Sequence, residues 1–337
     1  MAEEVVAELR AAREAVALMD RSAIGRLRIA GRDRLDFLQR MSTNDVLKRT
    51  PGQGCTTVLT TPIGRMVDRL TVYVGEETLL ALTSEGQAGR VRRWLSGYIF
   101  FMDQVTIRDE TDATGLLALY GPRAAETIRR AVGADVSGLE RHAWRSVPWE
   151  GETLVVAAAE PPGTGQAFFV IAPAAAIAGV WTRLLEAGAD WGARPMGEEA
   201  YEALRILAGQ PRYGHELSEE YIPLEAGLWS DVSFHKGCYI GQEIIARMES
   251  RGRQARQLVG LRLAALPPAG EVMLQAEGQR VGQVTSLARL PDTGEVVGLG
   301  YVRTTYAVPG TVLSAVADGQ EIPAEIRFLA GSSPVRG

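Results

Sequence analysis

Apolar positions at helical spacing open the chain. Val5, Leu9, Ala12 and Val16 predict an amphipathic helix within residues 1–20. Residues 24–30 (IGRLRIA) then alternate as a strand, and 33–41 (DRLDFLQRM) read as a short helix with Leu35 and Leu38 inward. Two strands over 55–60 and 67–74 are joined by the turn Thr61-Pro62-Ile63-Gly64. A strand at 78–83 and a helix at 86–97 follow. Further on, 115–121 (GLLALYG) reads as a buried strand. Pro122 opens a helix over 122–132, where a missing N–H costs nothing. Strands are predicted at 153–159 and 167–172, and helices at 174–187 and 197–208, the last stopped by Gly209 and Pro211. Strands and helices mix without regular βαβ spacing, which predicts an α+β fold. From about residue 257 helical periodicity disappears. Runs at 258–263, 280–287, 295–301, 311–316 and 321–328, separated by Pro and Gly turns, predict a small β-barrel or sandwich.

Length divides this pattern into units. A chain of 337 residues exceeds what one core usually serves, so two or three domains are expected. The longest uncharged apolar stretch, Ala167 to Trp181, is shorter than the roughly 18 residues a spanning helix needs, and Pro173 and Gly179 interrupt it. It reads as a buried strand followed by a helix, and no membrane association is expected. A net charge of −5 gives no strong nucleic-acid signal. Only two cysteines, Cys55 and Cys238, are present, far too few for a secreted disulfide framework. The early acidic residues do not form the basic region of a signal peptide, so a cytoplasmic location is expected. There is no Walker loop, and Gly163-Thr164-Gly165 reads as a turn. With no paired Cys-x-x-Cys, no His-Glu-x-x-His and three scattered histidines (His142, His215, His235), no preformed metal site is expected. Two distant cysteines cannot hold an iron–sulfur cluster alone, because a cluster takes four thiolate-type ligands.

The most distinctive segment is Lys236-Gly237-Cys238-Tyr239-Ile240-Gly241-Gln242-Glu243. It follows Tyr221-Ile222-Pro223-Leu224-Glu225-Ala226-Gly227-Leu228 and precedes Arg251, Arg253 and Arg256. Two glycines bracket a cysteine at a loop-to-helix junction. Backbone N–H groups at a helix start, and Lys236 beside it, would favour a thiolate. Against that stands the ordinary fate of a lone cysteine, which is to pack as a small hydrophobe.

This segment resembles the hallmark of YgfZ-type proteins, Lys-Gly-Cys-Tyr-x-Gly-Gln-Glu, relatives of the glycine-cleavage T-protein. The likeness spans most of the chain: DFLQRMSTNDV (36–46), TPIGRMVDRLTVY (61–73), LLALYGPRA (116–124) and GQVTSLARLPDTGEVVGLGYV (282–302) resemble other parts of that superfamily. The resemblance implies a three-domain cloverleaf around a central folate channel. Two interleaved α+β subdomains would fill 1–255, a C-terminal β-barrel 256–330, and a flexible tail 331–337. It also implies tetrahydrofolate, or a one-carbon derivative, as cofactor.

Residue by residue, Glu225 falls on the carboxylate that holds the pterin, whose two neighbouring N–H donors a carboxylate accepts; the plainer reading is a helix-start or surface glutamate. Asp68 falls on the superfamily's catalytic aspartate, where it would move protons or steady positive charge. Its plainer reading is a salt bridge to Arg65 or Arg69. Many YgfZ-type members lack an acid here, so Asp68 keeps one-carbon transfer open. Lys236 and Tyr239 are taken as cofactor contacts, though an aromatic beside a buried turn is commonly core. Arg251, Arg253 and Arg256 are taken toward the anionic glutamate tail, though a charge run is commonly a solvated face. Departures matter too. The stretch Asp20-Arg21-Ser22-Ala23 lacks the Ser-His pair of T-proteins, and T-proteins lack the Lys-Gly-Cys-Tyr hallmark.

Two functions follow from the resemblance. The first is a folate-binding accessory protein that uses Cys238 to support iron–sulfur proteins or their assembly factors. The second is a tetrahydrofolate-dependent aminomethyl- or methyltransferase that uses Asp68.

Overall fold

The computed structural model describes residues 2–163, 165–251 and 254–331. Thr164, Arg253 and the tail beyond Gly331 lie outside the described residues, as does the side chain of Arg251.

The first helix, α1 (Ala2–Glu14), is shorter than its apolar spacing suggests, and the chain continues as a strand, β1 (Ala17–Asp20). Successive side chains there serve opposite cores, which is strand behaviour. Leu18 packs with Leu119 and Val170, while Ala17 and Met19 pack with Ala118 and Tyr120. With both faces buried, Ala-Leu-Met carries no alternation for sequence periodicity to detect.

One sheet of six strands is ordered β11-β1-β7-β10-β9-β8. It is built from β1, β7 (Thr114–Tyr120), β8 (Trp144–Trp149), β9 (Glu152–Ala158), β10 (Ala167–Pro173) and β11 (Arg194–Pro195). Helices α4 (Ala124–Val132) and α5 (Ile177–Ala187) cover one face and bury Ile128, Val180 and Leu184 against it. The second sheet, ordered β3-β4-β5-β2-β6, comprises β2 (Ile24–Ala30), β3 (Gly54–Thr60), β4 (Met66–Val74), β5 (Thr78–Glu85) and β6 (Thr106–Asp109). Its cover is α2 (Arg34–Met41) and α3 (Ala88–Ser96), with Phe37, Leu38, Val91 and Leu95 in the core. The second sheet lies wholly between β1 and β7 in sequence, so the two sheets interleave along the chain. They meet where Tyr73, Leu80 and Leu82 pack on Leu116, Ala157 and Ile171.

The C-terminal strands close into a barrel, which settles the choice between barrel and sandwich. Its order is β12-β15-β14-β13-β16-β17, from β12 (Arg256–Leu263), β13 (Met273–Ala276), β14 (Gln279–Arg289), β15 (Val296–Arg303), β16 (Val312–Ala317) and β17 (Gln320–Leu329). Strand β13, absent from the sequence reading, completes the ring. It pairs with β14 through a tight turn in which Glu277 and Gly278 both have positive φ. Val259, Leu261 and Leu263 alternate into the barrel interior, while Leu258 faces outward into the core shared with α6 (Glu198–Leu207). That shared core draws on the α1 region, both sheets and the barrel, so one packed centre joins three lobes. Among the described residues no helix is long and apolar enough to cross a membrane.

Candidate functional site

A cavity of about 380 Å³ opens where the two sheets face each other beside α6. Its size falls in the range of small-molecule sites, roughly 300–1,000 Å³. Strand β4 contributes Arg69 and Tyr73, and the end of β5 contributes Ser84 and Glu85. Arg21, His142 and Glu160 come from the ends of β1, β8 and β9.

The charges are arranged in two sets. Arg69 donates through Nε to Asp231 at 2.6 Å and through Nη2 to Glu160 at 2.9 Å, and Arg141 donates to the other Glu160 oxygen. Arg69 and Arg141 hold the Glu160 carboxyl below its ordinary range against the opposing effect of burial. In the second set Glu85 pairs with Arg21 at 2.9 Å and with Arg212 at 2.7 Å, and Arg21 lies 4.0 Å over the Tyr201 ring. Burial lowers the His142 imidazole to about 4, so it is neutral at pH 7. Three polar atoms of this wall are buried without a hydrogen-bond partner: Arg21 Nε, Tyr73 Oη and His142 Nδ1. Buried polar groups are ordinarily satisfied, and a bound ligand or ordered water is the usual reason when protein partners are missing.

Asp68 lies immediately behind this wall. It is 1% exposed and makes no ion pair among the described residues, so the expected bridge to Arg65 or Arg69 is not formed. Instead its carboxylate accepts from Ser84 Oγ at 2.5 Å, Ser84 N at 3.1 Å and Arg69 N at 2.9 Å. Burial pushes its pKa up to about 6, against the pull of these donors and of Arg90. Ser84 lines the cavity and Asp68 does not, so the serine hydroxyl is the contact between this carboxylate and the cavity.

Glu225 is placed elsewhere. It is 3% exposed, its Oε2 accepts from the Ile222 amide at 3.3 Å, and its backbone oxygen accepts from Leu258 N at 2.8 Å. Desolvation raises its pKa, with Arg256 and Arg65 acting in the opposite sense. The residue closes a turn against the barrel and is not among the residues lining the cavity. Arg256 is exposed, 5.6 Å from the Tyr221 ring, and likewise outside the lining.

The hallmark segment forms a separate structure. Lys236 Nζ donates to the carbonyls of Gln39 at 2.6 Å, Ser42 at 2.6 Å and Asn44 at 2.8 Å. All three ammonium protons are therefore spent on carbonyls at and just after the end of α2. Burial lowers its pKa to about 8. Tyr239 packs with Ile222, Leu224, Val232 and Ile245. Cys238 is exposed, and the following helix, α7 (Gln242–Arg251), begins at Gln242. Cys55 is buried, which pushes its thiol pKa up.

The loop is locked on the β3–β4 turn. Gly241 has φ +84°, and a Cβ there would lie 2.6 Å from the Thr61 oxygen. Gly241→Ala is expected to cost about 1–3 kcal/mol of stability, combining left-handed strain with that clash. Lys236→Met, which keeps the buried stem but strips three carbonyls of their donor, is expected to cost about 3 kcal/mol. Urea denaturation of each variant measures both.

The chain matches the GCVT N-terminal domain over residues 1–236 and the glycine cleavage T-protein C-terminal barrel domain over residues 256–329. It belongs to the glycine-cleavage T-protein family. Related proteins include an aminomethyltransferase of Chlorobaculum tepidum, 31% identical across 96% of this chain and 89% of its own. A second, from Chlorobium phaeovibrioides, is 32% identical over the same shares of the two chains. A chloroplastic protein of Arabidopsis thaliana, named only provisionally as a transferase, is 33% identical across 95% of this chain and 72% of its own. The aminomethyltransferase of the glycine cleavage system of Bartonella henselae shares the fold, with a TM-score of 0.84 over 96% of this chain and 88% of its own at 24% identity. The α+β architecture with a closed terminal barrel is thus the T-protein fold.

In this T-protein family member Asp68, expected from the resemblance, lies behind the cavity, whereas Arg21, Tyr73, Ser84, Glu85, His142 and Glu160, which line it, were not expected from the sequence. One signal was available. Asp68 and Arg69 are adjacent charges inside the otherwise apolar strand MVDRLTVYV, and such charges need a reason to be there.

Proposed function

We propose that this protein is a tetrahydrofolate-dependent one-carbon transferase that moves an aminomethyl- or methyl-type group. The observation that carries the reading is the cavity wall. Unpartnered buried polar atoms, paired carboxylates, arginines and the aromatic rings of Tyr73, Phe169 and Tyr201 surround a space of about 380 Å³. These groups fit a reduced folate. Carboxylates suit the pterin's N–H edge, the rings suit its flat body, and the arginines suit an anionic tail. The related proteins named aminomethyltransferase support the same class.

When bound, tetrahydrofolate supplies two nitrogens that accept the carbon. With an aminomethyl group on a thiol, the carbon leaves sulfur and nitrogen, both folate N–H protons are released, and a free thiol and ammonia form. The protein must therefore handle two protons. Ser84 presents its hydroxyl to the cavity and bonds to Asp68 behind it, giving a route for one of them. A carboxylate titrating near 6 is mostly ionised at pH 7 and accepts a proton readily. The anionic Asp68 also steadies positive charge developing at a nitrogen in this poorly hydrated place. Incubating the protein with tetrahydrofolate and an aminomethyl-thiol donor tests the reading: stoichiometric ammonia and methylene-tetrahydrofolate are expected, and formation of neither with any aminomethyl or methylamine donor contradicts it.

A second reading is favoured by Cys238. An exposed cysteine stands on a loop fixed by the Lys236 bonds and by Gly241, in a segment resembling the YgfZ-type hallmark. In that reading the protein binds folate in the cytoplasm and supports iron–sulfur proteins through this thiol. A deletion strain complemented with Cys238→Ser is expected to show reduced iron–sulfur enzyme activity. Full rescue by the variant counts against this reading and leaves the transferase untouched.

A further inference from the structure

We infer that the turn Phe100–Asp103, remote in sequence from every cavity-lining residue, is the tip by which this protein docks on an anionic membrane surface. The turn follows α3 directly: the amides of Gly97, Tyr98 and Ile99 donate to the carbonyls of Arg93, Leu95 and Ser96. At its corner Phe101 is 99% exposed and Met102 72%, more than any other large apolar side chain among the described residues, and Phe100 beside them is exposed as well. Turn corners ordinarily carry Gly, Pro, Asn, Asp or Ser. Three consecutive apolar side chains in water contribute little to the fold, and a contiguous exposed apolar patch marks a surface that meets a partner.

The turn is pinned at both ends. Asp103 N donates to the Phe100 carbonyl at 2.9 Å, and Phe100 N donates back to Asp103 Oδ2 at 3.0 Å. Arg40 of α2 donates through Nη2 to Asp103 Oδ1 at 2.9 Å, and the next amide, Gln104 N, donates to Asp33 Oδ2 at 2.9 Å. Phe101 and Met102 are thus presented outward before any partner arrives, which spares docking the cost of ordering the loop.

The surroundings favour a bilayer over a protein. Three side chains on a projecting turn offer far less than the roughly 800 Å² that each partner buries in a stable protein interface. A fluid lipid surface needs no matching pocket. Behind the tip Trp94 and Tyr98 are half-buried with ring centroids 4.9 Å apart, and with Ile99 they rest on the core of the second sheet. Their polar handles suit the headgroup level, where Trp and Tyr gather, while Phe and Met suit the acyl boundary. Arg92 and Arg93 on α3 are exposed and make no ion pair among the described residues. The acids nearest the turn, Asp36 and Asp103, share Arg40, so one negative charge stands against two unpaired arginines. Each such cation adds about fivefold to affinity for an anionic surface. The chain's net charge of −5 weighs little here, because salt screens exposed charges beyond about 8 Å. Among the described residues no helix crosses a bilayer, and a peripheral contact needs none.

The test is co-sedimentation of the full chain with sucrose-loaded vesicles of phosphatidylcholine, with and without phosphatidylglycerol. Reversible binding to the anionic vesicles is expected, on the order of 10³–10⁴ M⁻¹ in lipid, no more than a single acyl chain supplies. Binding to neutral vesicles should be about 10- to 30-fold weaker. Phe101→Ser combined with Met102→Ser should cut binding to the anionic vesicles by at least about tenfold, and both positions are exposed, so the fold is spared. Arg92→Gln combined with Arg93→Gln should remove the preference for anionic vesicles. Ile63→Ser, which removes an exposed apolar side chain on another turn, should leave binding unchanged. A wild type that does not bind anionic vesicles overturns the assignment, and so does binding that the Phe101 and Met102 changes leave intact or an anionic preference that survives loss of both arginines. Self-association of the wild type without lipid, reversed by the Phe101 and Met102 changes, would place a second copy of the chain on the turn and overturns it too.

Discussion

Asp68→Asn is expected to slow one-carbon transfer by about 10²- to 10⁴-fold, the usual contribution of a positioned general acid–base group. Tetrahydrofolate affinity should change little, because Asp68 lies behind Ser84 and outside the cavity lining. In the wild type the transfer rate should rise as pH rises through about 6, where Asp68 ionises. The same shift predicts a stability effect of definite sign. The folded-state pKa is about 6 and the unfolded value 3.8, so between these pH values the folded protein keeps a proton that the unfolded chain has lost. Stability contributed by this group is therefore present below 3.8 and declines as pH rises to about 6, by roughly 2–3 kcal/mol. Asn cannot titrate, and Asp68→Asn should remove that decline. Urea denaturation at pH 4 and pH 7 checks it. A variant that transfers at the wild-type rate, with the same pH profile, would rule out Asp68 as the proton-handling group.

The largest stability effect is expected at Arg69. Arg69→Met leaves Asp231 buried at 0% exposure with only the hydroxyls of Thr56 and Ser230 as side-chain donors. Removing one partner of a buried ion pair typically costs about 3–5 kcal/mol, because the remaining charge is uncompensated. Neutralising the orphan should restore much of the loss, so Arg69→Met combined with Asp231→Asn is expected to recover about 2 kcal/mol or more in urea denaturation. Equal instability of the single and double variants would show that the guanidinium matters through packing instead. Arg69 also holds Glu160, so the variant should weaken tetrahydrofolate binding even where it stays folded.

What the sequence made legible follows from how each feature is encoded. Alternation in IGRLRIA and helical spacing in DFLQRM are local, and the strand β2 and helix α2 form there. β1 escaped because its three apolar residues are buried on both faces, a consequence of neighbours far along the chain. β13 escaped because it is short and takes its meaning from closing the barrel. The same distinction governs the site. Asp68 was visible through resemblance, whereas Glu160, Arg21 and His142 converge from separate strand ends, and no local spacing records that meeting. Lys236 was read as an electrostatic neighbour of Cys238. The carbonyls that consume its protons belong to residues 39–44, which are remote in sequence, so the fold alone reveals the bonds. Glu225 stands in an apolar context because it closes a turn on the barrel, a cause as consistent with Ile-Pro-Leu-Glu-Ala-Gly as a pterin contact is.

The most direct test of the central claim is single-turnover transfer, with wild type and Asp68→Asn each mixed with tetrahydrofolate and an aminomethyl-thiol donor while methylene-tetrahydrofolate and ammonia are followed together. Equimolar formation of both by the wild type is expected, with a rate at least about 10²-fold lower in the variant. Tetrahydrofolate binding without formation of either product by the wild type would contradict it.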